Sequence, residues 1–89
     1  MLEIKKITGG NIMSIRDTVL EILRRIKPTV NLENVTDIID GGYLDSLGIM
    51  ALISELSEKY GFAIDIDWIT PENLNSVDAI VSLVNKLKA

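Results

Sequence analysis

The sequence predicts an all-α protein, a small antiparallel-type bundle of three longer helices and one short helix with a long first loop. Apolar residues recur at spacings of three and four in three segments, each flanked by residues that start or end helices. Residues 62–68 alternate like a strand but have no second convincing strand to pair with. Eighty-nine residues with one Phe, one Trp and two Tyr provide a single modest core of aliphatic side chains.

Residues 1–13 do not fit this pattern, and we expect a flexible N-terminal extension ahead of a bundle that spans residues 14–89. The first helix begins at Ser14, which can form a capping box with Asp17, and it ends before Pro28. Its apolar stripe consists of Ile15, Val19, Ile22, Leu23 and Ile26.

A long connection, residues 28–44, leads to a second helix over residues 45–60, which Gly61 ends. The expected buried stripe of this helix is Ile49, Leu52, Ile53, Leu56 and Tyr60. Thr70 and Pro71 carry the N-cap and first-position signature of a short helix over residues 70–74. Ser76 then caps the last helix, whose inward-facing residues are Val77, Ile80, Val81, Val84 and Leu87.

Composition excludes several classes of function. The chain has no cysteine and no histidine, so it lacks the commonest general base and the commonest metal ligands. A net charge of −4 argues against binding nucleic acid. No apolar run reaches the length of a membrane span, and the first residues lack a signal peptide's apolar core. We therefore expect a cytoplasmic protein and a monomer.

The charge is unevenly distributed along the chain. Residues 31–78 carry ten acidic side chains and one basic side chain, a net charge of −9. Such a surface either steers a basic partner toward the protein or keeps a small protein soluble. Asp65 and Asp67 lack the further ligands of a calcium loop, so we interpret them as solvated carboxylates.

A glycine-permitted turn runs into the start of the second helix, where the sequence from Gly41 to Met50 reads GGYLDSLGIM. Asp45 or Ser46 is of a preferred N-cap type, which places the Ser46 hydroxyl beside free amide groups and the positive end of the helix dipole. A phosphate attached to Ser46 would be favoured there. The alternative is that Ser46 is only a helix cap.

Ser46 cannot be an activated catalytic nucleophile by any usual route, because the chain has no histidine to serve as its base. Lys59 lies more than three helical turns beyond it. A serine that another enzyme modifies needs no base of its own. It must only be exposed at a helix start.

The Asp45-Ser46-Leu47 motif, with the helix and acidic loop that follow, resembles the acyl carrier protein family and its peptidyl and D-alanyl carrier relatives. The resemblance spans roughly residues 14–87. It implies a long first loop that packs apolar residues over the bundle. It also implies a carrier, not itself an enzyme, whose Ser46 receives 4′-phosphopantetheine from coenzyme A through a phosphopantetheinyl transferase.

In that family the arm's thiol carries its cargo as a thioester. The resemblance thus implies an acyl- or aminoacyl-loading ligase and downstream synthase or transferase enzymes as partners, as in fatty acid or secondary metabolite biosynthesis. Asp45 would help the transferase recognise the site through its metal ion. Leu47 and Met50 would be apolar contacts beside the arm, and Glu58 matches an acidic recognition position. The alternatives are a buried Leu47, a Met50 in the core, and a solvated Glu58.

The departures from the family pattern are informative. Fatty-acid carriers have acidic residues where this chain has Gly48, Ala51 and Ser57, and usually a methionine in place of Ser54. We therefore expect a carrier for a dedicated pathway. The alternatives are a D-alanyl or other aminoacyl carrier for cell-wall modification and, from a different class, an unmodified helical interaction module with an acidic docking face.

Overall fold

The structure, a computed structural model, describes residues 14–88, and the predicted extension over residues 1–13 lies outside them. Along this part of the chain, four α-helices follow one another: α1 (Ile15–Ile26), α2 (Ser46–Tyr60), α3 (Pro71–Leu74) and α4 (Val77–Lys88). A 3₁₀ turn, Ile66–Trp68, precedes α3. Residues 14–88 contain no strand, so the predicted all-α fold of three longer helices and one short helix is confirmed.

Helix ends follow the capping signals in the sequence. The capping box of α1 is formed as predicted: the amide of Asp17 donates to Ser14 Oγ at 3.0 Å, and the amide of Ser14 donates to the Asp17 carboxylate at 3.3 Å. Gly61 ends α2 in the left-handed conformation, with φ of 74°. Ser76 Oγ accepts from the amide of Ala79 at 3.0 Å at the start of α4. Thr70 occupies the N-cap position of α3, but its buried hydroxyl makes no hydrogen bond.

The core is aliphatic and forms where α1 packs against α2 and α4, and α3 against α4. Most residues of the predicted stripes are buried or half-buried in it, and Leu83 of α4 is a buried residue that the stripe analysis missed. The connection between α1 and α2 contributes three buried side chains, Leu32, Ile38 and Leu44. It therefore packs over the bundle, as the resemblance implied.

Two arginines of α1 pair with acidic residues on other elements. Arg16 pairs with Asp78 at the start of α4 and lies 3.9 Å from Glu33 of the connection. Arg25 pairs with Glu55 of α2. Within residues 14–88, no helix has the length and apolar character that crossing a membrane requires.

Candidate functional site

Ser46 is the first residue of α2 and is exposed, whereas the cap belongs to Asp45. Asp45 Oδ1 accepts a hydrogen bond from the amide of Gly48 at 2.8 Å, and the Asp45 carbonyl accepts from the amide of Ile49 at 2.9 Å. Because Asp45 caps the helix, the interpretation of Ser46 as only a cap is wrong. The amides of Ser46 and Leu47 lie in the first turn, where helices provide no intrahelical partner.

The chain ahead of the serine is held close to the core. Gly42 has a φ of 76°, which an L-residue adopts only with strain, so the turn requires glycine there. The amides of Tyr43 and Leu44 then both donate to the carbonyl of Ile38, at 3.0 and 3.4 Å. Leu44 is buried. Ser46 therefore projects from an anchored turn and the rigid end of a helix.

Leu47 and Met50 form an exposed apolar patch beside the serine, with 81% and 56% of their surfaces accessible. The alternatives that placed either side chain in the core are thus wrong. The two residues are three apart and share one face of α2. Ala51 and Ser54, which follow on the outer part of the helix, are uncharged. The face of α2 that carries Leu47 and Met50 is consequently apolar and uncharged as far as Ser54, and it lies next to the exposed Ser46 hydroxyl and the Asp45 carboxylate.

Glu58 is exposed, but it is not close to the serine. Glu58 lies twelve positions after Ser46 on α2, a rise of about 18 Å along the helix axis. Glu58 instead lines the cleft between α1 and α2, together with Glu21, Arg25 and Glu55. The structure therefore brings Asp45, Ser46, Leu47 and Met50 together and leaves Glu58 apart from them.

A groove of about 600 Å³ opens beside the serine, and the two chain neighbours of Ser46 line it. One wall is the end of α1 with Arg25, Ile26 and Lys27, and the opposite wall is formed by α2 and by residues 42–44. The sequence did not predict this groove. The spacing of apolar residues in α1 predicts a helix, but it does not show that the end of this helix lies beside Ser46.

Gly48 permits α2 to lie close to Leu44, Asp45 and Ile26 in this groove. A Cβ at this position would lie 3.3 Å from Leu44 Cδ2, 3.4 Å from Asp45 Oδ1 and 3.5 Å from Ile26 Cγ2. A larger side chain here, such as the acidic one expected of fatty-acid carriers, would therefore require the end of Leu44 to shift slightly, while Asp45 Oδ1 and Ile26 Cγ2 would be in ordinary van der Waals contact. This packing gives a structural reason for one departure from the family pattern.

Of the two loop carboxylates after α2, that of Asp65 has a local structural role. Asp65 Oδ1 accepts a hydrogen bond from the amide of Asp67 at 3.0 Å and so caps the 3₁₀ turn. Across residues 14–88, the acidic side chains form no group of three or more that could hold a metal ion.

Comparison with known proteins agrees with the geometry around Ser46. The family model described as a phosphopantetheine attachment site matches residues 14–84. D-alanyl carrier proteins from Streptococcus pyogenes serotypes M5 (strain Manfredo), M49 (strain NZ131) and M1 are each 35% identical over 81 residues. The matches cover 85% of this chain and 98% of each relative. No solved structure was matched.

Proposed function

The chain belongs to the phosphopantetheine-attachment family of carrier proteins, and we propose that it carries its cargo on an arm attached to Ser46. Carrier proteins of this kind are not themselves enzymes, and their cofactor is 4′-phosphopantetheine. When bound, the arm supplies a thiol that holds the cargo as a thioester. The protein contributes the attachment point, its presentation and the surfaces that partner enzymes contact.

The observation that carries this proposal is the division of roles between Asp45 and Ser46. Asp45 provides the helix cap, and Ser46 is exposed at the first helical position. The hydroxyl can therefore be modified without loss of the hydrogen bond that caps α2. In the transfer, Ser46 Oγ forms a bond to the phosphorus of the pantetheine phosphate and the pyrophosphate bond of coenzyme A breaks. Adenosine 3′,5′-bisphosphate leaves, and the hydroxyl proton passes to a base of the transferase.

The residues at the start of α2 fit the attached phosphate. The first-turn amides of Ser46 and Leu47 and the positive end of the helix dipole favour an anion there. Asp45 is exposed and uses one carboxylate oxygen for the cap, so its other oxygen is available to the transferase's metal ion. We assign to Asp45 this recognition role in addition to capping.

Leu47 and Met50 are proposed as the contact surface for partner enzymes. Apolar side chains that remain this exposed in a small domain mark interaction sites when they are adjacent. Glu58, three turns away on α2, is proposed as a second contact for a basic partner residue, at the far end of the same helix.

The cargo is proposed to be an acyl or aminoacyl group of a dedicated pathway. Relatives named D-alanyl carrier proteins, which the chain matches over 98% of their length, favour D-alanine as the specific candidate. A ligase that adenylates D-alanine and transfers it to the thiol would then be the loading partner. Incubation of the phosphopantetheinylated protein with D-alanine ligase or with fatty acyl ligase, followed by intact mass measurement, tests this choice. Loading by the fatty acyl ligase alone would exclude the D-alanyl assignment.

Intact mass after incubation with coenzyme A and a broad-specificity phosphopantetheinyl transferase tests the attachment site. We expect the parent to gain one phosphopantetheine and Ser46→Ala to gain none, with its free energy of unfolding unchanged within about 0.5 kcal/mol. Ser76→Ala is the matched control, because that serine also lies at a helix start but does cap its helix. It should remain a substrate while losing about 1 kcal/mol of stability.

Ser46→Ala is therefore expected to lose modification and keep its stability, whereas Ser76→Ala is expected to keep modification and lose stability. An unmodified parent in the presence of an active transferase would exclude the carrier function and favour the interaction module. Modification of Ser46→Ala would place the arm on another residue.

A further inference from the structure

Asn75, the residue after α3, connects the α3–α4 junction to the connection between α1 and α2. Its side-chain oxygen accepts from the amides of Ile39 and Asp40, at 2.9 and 3.1 Å. Its side-chain nitrogen donates to Asp40 Oδ2 at 3.0 Å, and its backbone carbonyl accepts from the amide of Ile38 at 2.8 Å. One residue thus makes four hydrogen bonds to three consecutive residues that lie 35 to 37 positions earlier in the chain.

These hydrogen bonds continue to the modification site. The amide of Ile38 is held by Asn75, and the carbonyl of the same residue accepts from the amides of Tyr43 and Leu44. Ile38 is fully buried, which fixes the point where the two sets of bonds meet. Leu44 directly precedes Asp45, the cap of α2. A continuous path therefore runs from Asn75 through Ile38 to the residue before Asp45-Ser46.

The remaining hydrogen bonds of this segment are local. Within the described residues, the amide of Gly41 donates to the carbonyl of Asp37 and the amide of Gly42 to that of Ile39. Such bonds define the shape of the turn, but they do not fix its position relative to the bundle. The hydrogen bonds from Asn75 fix the position of the turn relative to the bundle as well, because they join residues 38–40 to the junction of α3 and α4.

We propose that Asn75 is a positioning residue for the modification of Ser46. It holds residues 38–40, and through them the turn that presents Asp45 and Ser46 to the transferase. The inference rests on the proposed function of Ser46. An asparagine suits this position because its side chain supplies both an acceptor for two amides and a donor for the Asp40 carboxylate.

The test compares Asn75→Ala with Asn73→Ala. Asn73 is a matched control because it lies in α3, two residues before Asn75, and its side chain donates to the carbonyl of Trp68 at 2.9 Å rather than to residues 38–40. Hydrogen exchange of the Ile39 and Asp40 amides, the thermal midpoint and the steady-state kinetics of phosphopantetheinylation are measured for the parent and both variants, well below the midpoints.

Asn75→Ala removes all three side-chain hydrogen bonds of Asn75. It should speed exchange of the Ile39 and Asp40 amides and lower kcat/KM for modification about tenfold, a factor that corresponds to the net contribution of about one hydrogen bond. Asn73→Ala should leave both quantities at the parent values even where its thermal midpoint falls as far. Equal slowing by both variants, or a parent-like rate for Asn75→Ala, would overturn the proposal.

A second pair of variants keeps the proposal testable if Asn75→Ala does not fold. Asn75→Asp retains the acceptor for the two amides but places a carboxylate against Asp40, and it should also slow modification. Addition of Asp40→Asn restores a donor and acceptor pair, so the double variant should recover most of the parent kcat/KM. A double variant as slow as Asn75→Asp, with a parent-like thermal midpoint, would contradict the positioning role.

The two proposals fail in distinguishable ways. If the parent itself is not modified, the function proposed for Ser46 fails whatever the Asn75 variants show. If the parent is modified and Asn75→Ala is modified equally fast, only the positioning role fails.

Discussion

Asp45 combines a structural and a functional task in one side chain. Its carboxylate caps α2 through the amide of Gly48, and we assign to the same group the recognition of the transferase's metal ion. The cap requires an oxygen acceptor, which an amide also supplies. Metal recognition requires the negative charge. Substitution can therefore separate the two roles.

Asp45→Asn should keep the free energy of unfolding within about 0.5 kcal/mol of the parent, because asparagine caps helices as well as aspartate does. It should nevertheless slow phosphopantetheinylation. Asp45→Ala should lose about 1 kcal/mol in addition to the loss of rate. Urea unfolding and modification kinetics on the three proteins provide the check. If Asp45→Asn is modified at the parent rate, the carboxylate acts only as a cap.

At this scale the sequence predicted the serine, its acidic neighbour and apolar contacts at Leu47 and Met50, but it left burial of these two side chains open as an alternative. Leu47 begins an apolar helix, and an apolar period alone does not distinguish a first-turn side chain over the core from one in solvent. The contacts of Asn75 could not be predicted either, since nothing local links it to Ile39 and Asp40.

Helix α2 presents two different surfaces along its outer side. Its start has the exposed apolar pair Leu47 and Met50, followed by uncharged Ala51 and Ser54, while Glu58 lies near its end. Partner contacts near Ser46 should therefore be apolar in character, and weakly sensitive to salt because ionic screening acts on charges. The net charge of −9 on residues 31–78 would by itself suggest partner contacts that are strongly sensitive to salt.

We expect Leu47→Ser with Met50→Ser to raise the KM of the transferase for the carrier by about fivefold or more, as loss of an apolar interface contact does. The free energy of unfolding should change by no more than about 0.5 kcal/mol. Ile66→Ser is the control, since Ile66 is an apolar side chain on the 3₁₀ turn with 79% of its surface exposed.

Kinetics at low and moderate salt complete this test. A KM of the parent that rises steeply with salt would show that charges, rather than Leu47 and Met50, dominate the encounter with this transferase. An equal rise of KM in Ile66→Ser would show that the effect is not specific to α2.

Element boundaries followed closely from caps and periodicity, whereas the connection between α1 and α2 did not. Ser14, Gly61 and Ser76 each occupy the helix end that their residue types predicted. The connection shows neither helical nor strand spacing of its apolar residues. Its three buried residues, Leu32, Ile38 and Leu44, are six positions apart, and tertiary contacts bury them. Within residues 62–68, Ile66–Trp68 form a 3₁₀ turn that Asp65 caps, and none of these residues forms a strand.

The bundle depends on its aliphatic core more than on its ion pairs. The Arg16–Asp78 and Arg25–Glu55 pairs lie at the surface, where such pairs contribute on the order of 0–1 kcal/mol each. The two arginines also offset the negative charge of Asp78 and Glu55 at the surface. The uneven charge of the chain is thus partly neutralised by α1 in the folded protein.

Leu52→Ala should lower the free energy of unfolding by about 2–5 kcal/mol, because Leu52 is fully buried in the aliphatic core and its truncation leaves a cavity. Met50→Ala, on the same helix but exposed, should change it by no more than about 0.5 kcal/mol. Urea unfolding followed by circular dichroism measures both. Similar losses for the two variants would indicate that the outer face of α2 is also packed.

The single tryptophan, Trp68, is the last residue of the 3₁₀ turn that precedes α3, and it is half-buried against the core. Lys86 Nζ lies 5.2 Å from the centroid of its ring, and the Trp68 carbonyl accepts a hydrogen bond from the side chain of Asn73. Its intrinsic emission therefore comes from one known site. The wavelength of that emission depends on water access to the indole, so it reports whether this end of the bundle stays closed. Spectra recorded before and after loading of the arm would detect opening of the bundle near α3 without any added label.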